Sequence, residues 1–193
     1  MIVDRHRQKN TDIVSSDSEE LILVDCLDKE IGYLAKDKCH EGTGILHRAF
    51  SLFIFNDRGQ VLLQQRSAEK RLWPLFWSNS CCSHPRRGET MNQAVQRRLM
   101  EELGITCDLV FLYKFIYQAT FEDRGSEHEY CWIYVGKSST KVWENRNEIE
   151  DLRYVTPEQL DEDLKTDSVQ YTPWLQMEWR SIRQDYGAQI RRL

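Results

Sequence analysis

No apolar run in this 193-residue chain approaches the roughly 18 residues needed to cross a bilayer, so no transmembrane helix is expected. The first twenty residues, MIVDRHRQKNTDIVSSDSEE, are polar and lack the apolar core of a secretory signal. The terminal QIRRL carries no prenylation or peroxisomal signature. Positive charge is not in excess: 26 Lys and Arg against 31 Asp and Glu leave a net charge of −5. That balance disfavours a general nucleic-acid or anionic-membrane binder and leaves room for a local basic pocket. Cys81 and Cys82 have no second cysteine pair to complete a zinc site. Six cysteines without a secretory signal suit a reducing cytoplasm rather than a disulfide scaffold.

What is present reads as an ordinary soluble globular chain, 40% hydrophobic and 30% charged, long enough for one sizeable core. Residues 1–20 are expected to form a mobile arm and 21–193 a single domain. LILVDCLDKEIGYLA reads as a hairpin around Asp28-Lys29-Glu30. AFSLFIF and QVLLQQ read as strands joined by the tight turn Asn56-Asp57-Arg58-Gly59. Met91, Ala94, Val95, Leu99 and Leu103 recur at helical spacing, with Gly104 as a stop, which predicts a helix over 90–103. Strands are predicted over 108–120 and 129–135, with EDRGSEH as a charged loop between them. Helices are predicted over 157–164 and 173–190. Strands and helices interleave without repeats or a linker, so the expected class is α/β (α+β) with a mixed sheet flanked by helices.

The segment SNSCCSHP poses the chemical question, because its cysteines could be ligands, nucleophile, base or small core residues. In an extended segment side chains alternate faces, so Cys82 and His84 share one face and Cys81 takes the other. By the same rule Glu127 and Glu129 point one way and His128 the other. His40, His47 and His84 lie near strand starts or in loops, and with the two glutamates they could close one metal shell. Five or six nitrogen and oxygen ligands favour octahedral Mg²⁺ or Mn²⁺ over tetrahedral Zn²⁺. Taken singly, each histidine fits equally well as a half-buried, hydrogen-bonded residue. Arg98 and Glu102 share a helix face at i,i+4, which alone describes a solvated ion pair. With Lys36, Arg66 and Lys70 the same residues could hold a diphosphate, with a Mg²⁺ from Glu102 bridging its oxygens. Four tryptophans, Trp73, Trp77, Trp132 and Trp174, suit core packing or an aromatic wall around a cation.

Three runs, HEGTGILHRAFSLFIFN, RLWPLFWSNSCCSHP and GSEHEYCW, together resemble the type 1 isopentenyl-diphosphate Δ-isomerases, a family with a Nudix-like fold. The resemblance covers about residues 20–180, and the pattern W-P-x-x-W-[ST]-N-[ST]-x-C-[GS]-H-P with a downstream E-x-E carries it. The Nudix signature falls on Ser83, Glu89, Arg97, Arg98, Glu101, Glu102, Gly104 and Ile105. Serine replaces its first glycine and Arg98 a metal-binding glutamate, as in the isomerases, which sets a Nudix-type diphosphate hydrolase second. Leu75 stands where many members have glycine.

The resemblance implies a mixed sheet sandwiched by helices and an enzyme that interconverts isopentenyl and dimethylallyl diphosphate through a tertiary carbocation. It implies Cys82 and Glu129 as acid/base residues with Tyr117 hydrogen-bonded beside them. His40, His47, His84, Glu127 and Glu129 would bind one divalent metal (Mn²⁺, Mg²⁺ or Zn²⁺), and Glu102 a Mg²⁺ on the diphosphate. Lys36, Arg66, Lys70, Ser83 and Arg98 would contact the diphosphate, and Trp174 would cover the isoprenoid. The expected partner is a small prenyl diphosphate, with no nucleic acid and no membrane, in a cytoplasmic monomer or weak homodimer. A thiolate at Cys82 is expected to act as base, its pKa lowered by nearby positive charge.

Overall fold

The structure, a computed structural model, describes residues 11–193. Its centre is strand β3 (His47–Phe55), of which every residue but Arg48 is buried. Alternation gives that strand two apolar faces. Phe50, Leu52 and Ile54 join one hydrophobic cluster, and Ala49, Phe53 and Phe55 join the other. A strand buried on both faces needs helices on both sides, and the chain supplies them. Helix α2 (Met91–Leu103) covers the first face with Ala94, Val95, Leu99 and Leu103. Helices α3 (Pro157–Thr166) and α4 (Pro173–Asp185) cover the second with Leu160, Trp174, Leu175, Trp179 and Ile182.

The sheet is mixed. β3 pairs in parallel with β8 (Gly125–Lys137) along its whole length, and antiparallel with the short β6 (Cys81–Ser83). β7 (Leu109–Phe121) pairs antiparallel with β8. β4 (Val61–Arg66) leaves β3 through the Asn56–Gly59 turn and pairs with β5 (Trp77–Ser78) and β9 (Ile149–Val155). The hairpin β1 (Glu20–Val24) and β2 (Glu30–Ala35) meets β3 at Leu23↔His47 and leads into the one-turn helix α1 (Lys36–Cys39). The predicted mixed sheet between helices is therefore what forms. No helix among the described residues is long and apolar enough to cross a membrane.

Helix α2 begins and ends on local chemistry. Thr90 and Gln93 form a reciprocal capping box at its start, and Gly104 closes it at φ 65°. Three expectations need correction. The charged loop is only Glu122–Arg124, because β8 starts at Gly125 and takes Glu127 and His128 into the sheet. The last helix breaks at Tyr186 and resumes as α5 (Gly187–Ile190). The helix predicted over 157–164 continues to Thr166. Leu75, in the family's glycine position, keeps the left-handed backbone at φ 63°, and its N–H donates to the Arg66 carbonyl at 3.0 Å. A side chain costs roughly 1–2 kcal/mol in this conformation.

Residues 1–10 of the expected arm, with His6, lie outside the described residues. Its remainder rests against the body: the Val14 carbonyl accepts from Arg86 (2.9 Å) and Arg98 (3.0 Å), and the Asp12 carbonyl accepts from Asn145 (2.9 Å).

Candidate active site

The five predicted metal residues converge. His47, the first residue of β3, stands opposite Glu129 of β8. Glu127 lies two residues earlier on the same face, His84 follows β6, and His40 follows α1. Gly125 lets the start of β8 reach His40. A Cβ there would come within 2.3 Å of the His40 carbonyl, which instead accepts the Ser126 N–H at 3.0 Å. The three imidazole centroids lie 4.8–5.4 Å apart, and the five donor atoms all lie within 4.8 Å of one another.

Two rings are aimed from behind. His40 Nδ1 meets the Lys36 carbonyl at 2.6 Å and His47 Nδ1 meets the Ile45 carbonyl at 2.7 Å. An N–H spent in this way leaves the Nε2 lone pair facing inward, the usual setting of a metal-bound histidine. His47 Nε2 and Glu127 Oε2 are both buried without a hydrogen-bond partner among the described residues, although His40 Nε2 approaches Glu127 Oε2 at 2.8 Å. Donors about 2.1 Å from a shared octahedral ion stand about 3–4.3 Å apart, so a small contraction would close the ring. The chain therefore carries a buried group of three histidines and two glutamates able to hold a metal ion.

The protein groups alone set a sharp charge pattern. Burial and the neighbouring His40 pull His47 down to about 4, and burial with His47 and His40 takes His84 well below its usual range. Burial opposes the charge on His40 too, but Glu127 beside it more than offsets this and raises it. The two glutamates diverge. Burial pushes both up, but His40 and His47 hold Glu127 low, while the Glu127 charge pushes Glu129 further up. Glu129 accepts from Tyr117 Oη at 2.6 Å and meets His84 Nε2 at 2.9 Å.

The adjacent cysteines separate as alternation predicts. Cys81 pairs with Leu52 and packs among Phe50, Ala94 and Leu99 on the α2 side. Cys82 pairs with Ser51 and lines the same cavity as His84 and Glu129. Its sulfur has Arg66 Nη1 at 4.0 Å, yet burial outweighs that cation and pushes the thiol up to about 12. The expected lowering does not occur, because one guanidinium cannot replace the hydration that a thiolate loses on burial. Trp174 forms another wall of the cavity. Its Nε1–H donates to Ser78 (3.0 Å) and Asn79 (3.1 Å), Trp73 meets it edge-on, and the Arg66 guanidinium lies 5.2 Å from its ring centroid.

The cavity holds about 280 Å³. Leu72, Tyr117, Cys82 and Trp174 line part of it, and Lys36, Arg66, Lys70, Ser83 and Arg98 also line it. Glu102 is not on this wall: it is buried behind Arg98, which it pairs with, and it accepts from Gln64 at 3.4 Å. Trp132 lies away from the cavity, where its Nε1–H donates to Asp28 at 2.9 Å.

Two buried acids escaped the sequence reading. Glu148, in the loop before β9, lies between Lys70 and Arg98. Nothing in WENRNEIED separates it from its acidic neighbours. Glu178 lies on α4 behind the site, accepting from Ser51 Oγ at 2.8 Å. A signal for it exists: it interrupts the apolar stripe Trp174, Leu175, Trp179, Ile182.

Comparison with known proteins agrees with this geometry. A family profile for the NUDIX domain matches residues 45–175. A protein of Photorhabdus laumondii named isopentenyl-diphosphate Delta-isomerase 1 is 41% identical over 170 residues, covering 87% of this chain and 97% of the relative. A Gibberella zeae protein named isopentenyl-diphosphate delta-isomerase IDI1 is 39% identical over 181 residues, covering 82% of this chain and 72% of the relative. Among solved structures, DR0079 from Deinococcus radiodurans superposes with a TM-score of 0.70 at 23% identity, over 84% of this chain and 98% of its own, and so speaks for the fold alone.

Proposed function

The chain belongs to the Nudix-fold isopentenyl-diphosphate Δ-isomerases, and we propose that it interconverts isopentenyl and dimethylallyl diphosphate with Glu129 and Cys82 as its proton-transferring pair. One observation carries the residue assignment. A buried carboxyl, Glu129, and a partly buried thiol, Cys82, line one cavity whose wall also bears five cationic side chains, Lys36, Arg66, Lys70, Arg71 and Arg98.

The reaction requires a proton on the terminal alkene carbon, a tertiary cation at the next carbon, and loss of a proton from the carbon beyond. Glu129 is placed to donate: it lines the cavity, Tyr117 Oη donates to its Oε2 at 2.6 Å, and burial with the Glu127 charge raises its proton affinity, against which a bound cation would act. Cys82 is placed to accept, with the Arg66 guanidinium beside the sulfur, as the thiolate left after its own proton passes to solvent. A divalent ion in the histidine–glutamate ring, Mn²⁺ or Mg²⁺ by ligand number and Zn²⁺ as the third option, supplies positive charge that acidifies the groups around it. Lys36, Arg66, Lys70, Ser83 and Arg98 anchor the diphosphate, and Glu102 would reach a Mg²⁺ on it only where Arg98, with which it pairs, gives way. Trp174 and Trp73 keep the hydrocarbon end dry, where water would trap the cation as an alcohol. A monomer or weak homodimer is the proposed form, and a thiol catalyst suits the reducing cytoplasm. Residues 21–193 are read as one functional domain.

The test is turnover of isopentenyl diphosphate with Mn²⁺ or Mg²⁺ in deuterated water. Dimethylallyl diphosphate carrying solvent deuterium is expected. Release of phosphate without isomerisation would instead establish the hydrolase reading, and unlabelled product would remove the solvent-exchanging acid.

A further inference from the structure

Glu148 Oε2 is shared by two cations from separate elements. Lys70, in the loop after β4, pairs with it, and Arg98 Nη2 from α2 lies 3.1 Å away. The carboxylate is almost fully buried, with 5% of the side chain exposed. Its backbone is fixed at both ends. The Glu148 carbonyl accepts from Ser67 N–H at 3.0 Å, and its N–H donates to the Asn145 carbonyl at 3.0 Å. Asn145 N–H in turn donates to the Glu102 carbonyl at 2.8 Å, which ties this loop to the end of α2. Lys36 borders the same cavity, and after burial itself the nearby charges of Lys70 and Arg98 pull its pKa down. Three cations crowded on a buried wall repel one another, and an anion fixed among them holds them in place.

We propose that Glu148 is the positioning residue of the diphosphate site, an internal anion that holds Lys70 and Arg98 in the arrangement the diphosphate binds. It does not need to be displaced. A lysine ammonium has three donors and a guanidinium five, so each can keep Glu148 and still offer donors to substrate. On Arg98 the Nη groups serve the Val14 carbonyl, Glu101, Glu102 and Glu148, and the donor left over is Nε, buried without a hydrogen-bond partner among the described residues. The inference rests on the isomerase reading for the identity of the anion.

The test is Glu148→Gln, which keeps the shape and removes the charge. Steady-state kinetics with isopentenyl diphosphate should show KM raised about tenfold or more, the order expected when two ordered side chains are released, with kcat within about threefold of wild type. Calorimetric titration with inorganic diphosphate and Mg²⁺ should show the same loss in Kd, and this readout needs no turnover. A wild-type chain that binds diphosphate but does not isomerise would sink the isomerase reading, while the Kd comparison would still judge Glu148. Lys70→Met should shrink the Glu148→Gln effect, because one of the two cations it positions is gone. If Glu148→Gln does not fold, Glu148→Asp keeps the charge on a shorter stem and should raise KM several-fold. An unchanged or lowered KM and Kd in the folded variant would overturn the proposal, since Glu148 would then be inert or a mere competitor. A fall in kcat alone would overturn it too.

Discussion

Glu178 offers a quantitative test, because its carboxyl is buried completely and its Oε2 has no hydrogen-bond partner among the described residues. Burial raises its pKa from 4.5 to about 8, with Ser51 and Cys131 pulling the other way. The sign follows from linkage. The folded chain keeps a proton there that the unfolded chain has lost, so stability falls as pH rises from 4.5 to about 8. Below 4.5 both states are protonated and there is no penalty; above 8 the penalty is complete. At about 1.36 kcal/mol per pH unit of displacement, it is about 3 kcal/mol at pH 7 and approaches about 5 kcal/mol above pH 8. Glu178→Gln removes the titration and keeps an oxygen to accept from Ser51 Oγ. The variant's unfolding free energy should therefore gain on wild type by about 3–4 kcal/mol between pH 5 and pH 8. Urea denaturation of both proteins at pH 5, 6, 7 and 8, with chelator present to remove metal linkage, measures this. The unpaired amide nitrogen adds a fixed offset that cancels in the comparison across pH. A gap constant to within about 1 kcal/mol would refute the buried-acid reasoning.

Cys82→Ala should lose isomerisation by roughly 10²–10⁴-fold, the range for a removed acid/base group, while Cys81→Ala keeps its rate and loses stability by about 1 kcal/mol from a small core cavity. Equal rate losses in two folded variants would undo the assignment to Cys82. Removing His84, which touches Glu129 Oε1 at 2.9 Å, should lower both bound metal and rate, and elemental analysis of purified His84→Ala at full metal stoichiometry would take it out of the ring.

The metal ring was legible before the structure because period-two alternation and a distinctive motif act together on few residues. Glu127 and Glu129 share a face in β8, and Cys82 and His84 share one across β6, as spacing alone requires. The same segment misled the placement of β8. Polarity marks EDRGSEH as loop, yet its last residues form a strand whose carboxylates face a buried ring instead of water. The role of Glu148 and the burial that opposes a Cys82 thiolate were not legible, since both depend on neighbours distant in sequence. Lys70 and Arg98 meet Glu148 from 78 and 50 residues away, and the burial that raises Cys82 follows from the packing of the whole cavity.

The electrostatics of the cavity follow from having two regions of opposite demand. The histidine–glutamate ring gathers lone pairs and carboxyl oxygens, and the wall of Lys36, Arg66, Lys70 and Arg98 gathers cations, with Glu148 between Lys70 and Arg98 and with Glu101 and Glu102 paired to Arg98. Each region is costly while buried alone, and each is relieved by a ligand of the sign it lacks. Burial raises both Cys82 and Glu129, and neither region alone offsets it. A cation in the ring favours loss of a proton from the groups around it. A diphosphate on the wall cancels the positive charge that would otherwise repel a carbocation. The two ligands thus bias proton transfer in complementary ways, and the thiol and the carboxylic acid, lying on the face that both regions share, are the groups placed to respond to them.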